Sequence, residues 1–261
     1  MKRQISLLIF IVALGSCFAQ ERPSFIDTRC ENFTTDIQDN IYIWRESTLE
    51  KYSSEGEFLC AFSSPAFGDI AVVDASTPSK VLVFYKEGGI ILFLDNKLNS
   101  IGNELNLFEH DLFSISLTAL CNTNHIVLYD ESAHDLIITD LNLNIKSTTH
   151  CRFEKTFSPF SIEVNFDKEI MLVDSTSGIY LFDKFGTFEK SLPFHGITSA
   201  QLFGNDIIYY KNSSIYRYDK FALDNILILS GVSNIKKFEK TKCYIYTLVN
   251  KGYLYRTPIT R

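Results

Sequence analysis

Two carboxylates held at the right separation can hydrolyse a glycosidic bond, one acting as acid and the other as base or nucleophile. Asp36, Asp74 and Glu163 are the residues of this chain that could supply such a set, with Lys236 and Lys237 opposite in sign. Their separation depends on the fold, so the sequence offers them only as ligand or channel candidates. The five histidines, His110, His125, His134, His150 and His195, carry no metalloprotease spacing. In a strand, the adjacent pairs His110-Asp111 and His134-Asp135 would point to opposite faces. No nucleophile elbow, Walker loop or dinucleotide-binding glycine fingerprint is present. Gly88-Gly89 follows Lys86-Glu87 between two apolar runs and reads as a hairpin turn. Asp95-Asn96, Asp183-Lys184 and Asp219-Lys220 lack the alternating oxygens and terminal Glu of a calcium loop. An Asp at that repeated place is expected to accept backbone hydrogen bonds in a turn. The residues therefore predict no metal, no cofactor and no enzyme, with a hydrolase or lyase built on the three carboxylates as the alternative.

The elements that would position these groups follow from an internal period. A strand ending in an aromatic or aliphatic residue and then a polar one recurs at Tyr52-Ser53, Leu94-Asp95, Phe182-Asp183, Tyr218-Asp219 and Tyr255-Arg256, with a matching copy at Thr139-Asp140. Successive copies lie 42, 45, 43, 36 and 37 residues apart. Each divides into four short runs of β-branched and aromatic residues bounded by Asn, Asp, Ser, Gly or Lys. Four strands repeated at about 40 residues make one blade of a propeller. The expected fold is all-β: a six-bladed β-propeller over residues 20–261, with five or seven blades as the alternatives. The last copy lacks a fourth strand, and Ser24 to Asp27 is a spare apolar strand that could close the ring and cover an exposed edge. The inner strand of the first copy is expected at Phe33 to Ile37. Most of the 22 Phe and 13 Tyr should fill the space between blades. Tyr209, Tyr210, Tyr216 and Tyr218 are candidates to alternate outward into a protein-binding face.

Hydrophobic residues make up 46% of the 261 and charged ones 21%, enough for a full core without staples. A net charge of −6 argues against nucleic acid as a partner. Residues 1–19 read as a secretory signal: Lys2 and Arg3, an apolar run from Ile5 to Leu14, then small residues before Gln20. Cleavage after Ala19 would free the chain. Leu14-Gly15-Ser16-Cys17 instead resembles a lipobox, in which Cys17 would be retained and acylated. Removing residues 1–19 leaves Cys30, Cys60, Cys121, Cys151 and Cys243, without zinc spacing. If the N-terminal strand closes the ring, a Cys30–Cys243 bridge becomes a candidate beside the alternative of free buried thiols.

Val81-Leu82-Val83-Phe84-Tyr85-Lys86 followed by Ile91-Leu92-Phe93-Leu94-Asp95-Asn96, with a leader ending Phe18-Ala19-Gln20, resembles small exported propellers of Bacteroidota. That group includes accessory envelope proteins of the type IX secretion and gliding machinery. The resemblance implies a noncatalytic subunit at the periplasmic side of the outer membrane, with other envelope proteins as partners. Because the chain ends within its last blade, it also implies a resident of the machinery rather than its cargo. Membrane attachment would then be peripheral, through Cys17 or through a membrane-protein partner. A propeller binding carbohydrate or another small ligand is the competing expectation.

Overall fold

The computed structural model describes residues 24–153 and 157–259. The expected leader, with its expected cleavage after Ala19, and Cys17 lie outside the described residues. Six four-stranded antiparallel sheets form the blades of a β-propeller. Their innermost strands are Asn32–Thr35, Val72–Asp74, Ile115–Asn122, Ser161–Val164, Ser199–Phe203 and Ile235–Lys240, taken as blades one to six. Each innermost strand packs against those on both sides, blade six meeting blade one, so the ring is closed.

Middle strands such as Val81–Tyr85, Ile90–Leu94, Ile170–Asp174 and Gly178–Phe182 are buried at every residue. Blades cover them on both faces, which is why they read as continuous apolar runs rather than alternating ones. The core is accordingly divided into layers between neighbouring blades. Tyr42 and Leu49 of blade one meet Val81, Val83 and Tyr85 of blade two; Met171 and Val173 of blade four meet Ile207 and Tyr209 of blade five.

Blade six is built from both ends of the chain. Ser24–Arg29 pairs antiparallel with Tyr253–Pro258, placing Phe25 opposite Tyr255 and Ile26 opposite Leu254. The spare strand thus closes the ring as expected and supplies the missing fourth strand. The proposed Cys30–Cys243 bridge is not formed, and all five described cysteines are free. Cys30 donates its backbone N–H to the Gly252 carbonyl at one end of the blade. Cys243 accepts from the N–H of Ile259 at the other end. The strand between them, Tyr244–Val249, spans about 20 Å at about 3.3 Å per residue. Closure brings the two cysteines into one blade but to opposite ends of it.

The repeated aspartates behave as turn residues. Asp95 accepts the N–H groups of Lys97 and Asn99, Asp140 those of Asn142 and Asn144, and Asp183 those of Phe185 and Thr187. Gly56 and Gly186 hold the positive φ, 86° and 79°, that their turns need.

An innermost strand pairs along one edge only; the other edge faces the central channel with its N–H groups unpaired. Side chains from the preceding blade satisfy several of them. Asp74 Oδ2 accepts from Leu120 N at 2.7 Å, Ser199 Oγ from Phe238 N at 3.2 Å and Gln201 Oε1 from Lys240 N at 2.7 Å. Glu239 Oε2 accepts from Thr35 N at 2.6 Å and from both the Thr34 and Thr35 hydroxyls, joining blade six to blade one. Its Oε1 lies 2.9 Å from Lys237 Nζ. Glu239→Ala would leave these donors unpaired around a buried site. We expect it to lower stability by about 3 kcal/mol, measured as a fall in the urea midpoint at unchanged slope. A loss below about 0.5 kcal/mol would mean that water replaces the carboxylate at no cost.

Candidate functional site

Two regions of the ring present chemistry: the channel, and the end carrying the first-to-second and third-to-fourth turns of each blade. In the channel, Glu163 comes from the innermost strand of blade four. Its charge interacts with Lys237 and Glu239 of blade six and Asp74 of blade two, none of which is in an adjacent blade. Only the shared lumen brings these four together. Burial, opposed by Lys237 and reinforced by Glu239 and Asp74, pushes the Glu163 carboxyl up to about 8. At neutral pH it is therefore mostly a neutral acid.

Its companions are already engaged. Asp74 accepts from Leu120 N and from Ser76 N at 2.8 Å. Lys237 donates to the Phe33 carbonyl at 2.7 Å and stands over the Phe33 and Trp44 rings. Lys236, expected in the channel, instead donates to the Glu31 carbonyl at the propeller's opposite end from the turns.

Asp36 does not join this group. The innermost strand of blade one stops at Thr35, and Asp36 begins the following turn. Buried there, it accepts from the N–H groups of Gln38 and Asn40, the Asn40 amide and the Tyr42 hydroxyl, while Lys51 Nζ lies 3.9 Å away. This is the Asp-turn chemistry of Asp95 and Asp140, so Asp36 is a turn residue and not part of the channel group. The sequence predicts a strand too long by two residues because Ile37 extends its apolar pattern; in the fold that side chain is exposed on the turn.

The four tyrosine candidates are also corrected. Tyr209, Tyr210 and Tyr218 are buried and Tyr216 is half-buried. Tyr209 stacks between Phe194 and Tyr216, with centroids at 5.0 and 5.3 Å, and Tyr218 meets Phe194 edge-on at 5.1 Å. Tyr210 donates its hydroxyl to the Val232 carbonyl at 2.9 Å. Both sides of these strands face neighbouring blades, so alternation gives no outward side.

Three of the most exposed aromatics lie instead at the turn end, while Phe113, on the connection leading into the innermost strand of blade three, lies at the other. Phe166 is 92% exposed, Phe221 78% and Phe185 64%, with Ile37 and Leu223 also open on this end. Lys168 Nζ lies 5.8 Å from the Phe166 ring centre and Lys184 Nζ 5.0 Å from that of Phe185. The turns that carry them are fixed to their neighbours. Lys220 pairs with Glu169, and the Asn165 amide donates to the Gly204 carbonyl at 3.3 Å, joining blades four and five. Ser147 and Thr149 of blade three donate to the carbonyls of Phe185 and Gly186. A phenylalanine held on such a turn gains nothing from burial in the monomer. The signal was present in the sequence as Asn165-Phe166-Asp167-Lys168, Asp183-Lys184-Phe185 and Asp219-Lys220-Phe221, an aromatic set among turn residues.

No protein-family model and no curated protein matches this chain. Solved propellers do. A streptogramin B lyase superposes with a TM-score of 0.62 at 10% identity, over 87% of this chain and 78% of that one. The PorZ protein of Porphyromonas gingivalis, described as a surface component of the type IX secretion system, gives 0.54 at 13% identity. There the match covers 89% of this chain but only 33% of the PorZ chain. BBS1N, solved in complex with ARL6DN, gives 0.59 at 15% identity over 90% of this chain and 79% of that one. These neighbours include a lyase and a propeller with a bound protein partner, and what they share with this chain is the fold.

Glu163 sets a pH dependence with a definite sign. Its ordinary value is 4.5, so between there and about 8 the folded chain holds a proton that the unfolded chain has released. Stability must fall as pH rises through that window. Glu163→Gln keeps a neutral side chain and should melt with the wild type near pH 5 and above it at pH 8. Thermal melts across the range would refute the assignment if both proteins kept the same slope.

Proposed function

We propose that this chain is a noncatalytic interaction scaffold of a bacterial envelope, docking other proteins on its turn end. The observation that carries the reading is the set Phe166, Phe185 and Phe221, exposed on turns that neighbouring blades hold in place. Exposed aromatics on a rigid frame are the usual anchors of a protein interface, because little side-chain entropy remains to be lost when they are covered. The secretory leader and the resemblance to exported propellers support the envelope setting. The fold likeness to PorZ supports, at the level of architecture, an accessory place in type IX secretion or gliding at the periplasmic side of the outer membrane. Attachment there is through a membrane-protein partner or an acylated Cys17.

Affinity copurification from native membranes tests the reading. The wild type should bring down a defined envelope protein, and Phe166→Ser with Phe221→Ser should weaken that complex by about 30-fold. The melting temperature should stay within about 2 °C of the wild type, since both side chains are exposed. Recovery of the protein alone would count against the scaffold.

A second reading, a propeller that binds a carbohydrate or other small ligand, draws on one observation. Neutral Glu163 beside the carboxylates of Asp74 and Glu239 is the electrostatic arrangement that separates an acid from a base. Asp74 is held by two backbone N–H groups, which favours a structural part for it. Glycan-array binding that disappears in Glu163→Gln would support this reading; binding that the variant keeps would dispose of it.

A further inference from the structure

The ring closes beside a cavity of about 390 Å³ whose lining includes Arg29, Glu31, Arg45, Lys236 and Lys251. Four cations therefore meet one carboxylate in a chain whose net charge is −6. They arrive from separate segments: Arg29 from the closing strand, Arg45 from blade one, Lys236 from the innermost strand of blade six and Lys251 from a turn of blade six. Arg29 donates to the Tyr253 hydroxyl at 2.9 Å and lies over that ring at 5.2 Å, while Lys236 donates to the Glu31 carbonyl at 2.6 Å. Among the described residues none of the four forms an ion pair with a carboxylate. Four like charges gathered around a single carboxylate repel one another, and the arrangement is relieved by an anion.

We propose that this seam cavity binds a phosphoryl group. Two guanidinium and two ammonium side chains lining one cavity match an oxyanion with three or more oxygens and nearly two charges better than a single carboxylate. The volume falls within the range of small-ligand sites. Such a ligand would touch the closing strand, blade six and blade one at once, so its binding free energy adds to the stability of the closed ring. The phosphoryl group could be carried by a soluble phosphorylated compound or by a lipid headgroup, and the two sources are separable.

The full chain would be melted with pyrophosphate, and with acetate at equal ionic strength as control. It would also be sedimented with phosphatidylglycerol or phosphatidylcholine vesicles. Pyrophosphate at about 100 times its Kd should raise the melting temperature by about 5 °C, and acetate should leave it unchanged. Arg45→Ala with Lys251→Ala should reduce affinity at least tenfold while keeping the unliganded melting temperature, because neither side chain makes a hydrogen bond within the described residues. Lys251→Glu serves as a second variant, one that reverses a charge on an exposed turn. A pyrophosphate shift lost in the variants supports a soluble ligand. Sedimentation with phosphatidylglycerol alone, lost in the variants, supports a headgroup. Absence of both effects, or effects that the variants retain, overturns the proposal.

Discussion

The unpaired inner edge of each blade is the constraint on which this structure depends. A four-stranded sheet pairs its innermost strand on one side only, and the other side would meet the channel as a row of orphan N–H groups, each costly if left without a partner. Here the neighbouring blade supplies acceptors: Asp74, Ser199, Gln201 and Glu239 each reach across to a backbone N–H of the next innermost strand. Side chains that would otherwise line the channel as free polar groups are thereby drawn into holding the ring. Glu163 stands apart because it projects among charges from blades that are not its neighbours.

The same constraint explains what could be read in advance. Blade length, blade count and the closing strand were legible because they rest on local pattern: apolar runs of strand length, turn aspartates and a repeat near 40 residues. Asp183 and Asp95 behave as their sequence context indicated. Contacts between blades were not legible, since they join residues separated by a whole repeat or more. Asp36 reads like a channel acid because Ile37 prolongs an apolar run, and Tyr209 reads like a surface residue because period-two alternation presumes that one face meets water. In a propeller both faces of a middle strand meet another blade. Cys30 and Cys243 belong to one blade, yet chain order says nothing about which end of a strand each occupies.

Both ends of the ring expose phenylalanines, Phe108 and Phe113 stacking at the end away from the turns, but the ends differ in the charges beside them. At the turn end, exposed phenylalanines sit beside lysines on turns tied to adjacent blades by Lys220–Glu169 and by the Ser147 and Thr149 hydroxyls. At the opposite end, the closing seam gathers Arg29, Arg45, Lys236 and Lys251.

The composite sixth blade also fixes an order of events. Ser24–Arg29 and Tyr253–Pro258 are the first and last of the described strands, so their pairing has the longest sequence separation of any strand pair among the described residues. Contacts of such span carry the largest loop-closure cost and form late. Until then the early strand and the first blade wait with open edges, the state in which a β-protein is most exposed to pairing with another chain. Closure of the ring thus removes the open edge on which the N-terminal strand would otherwise be free to pair with another chain.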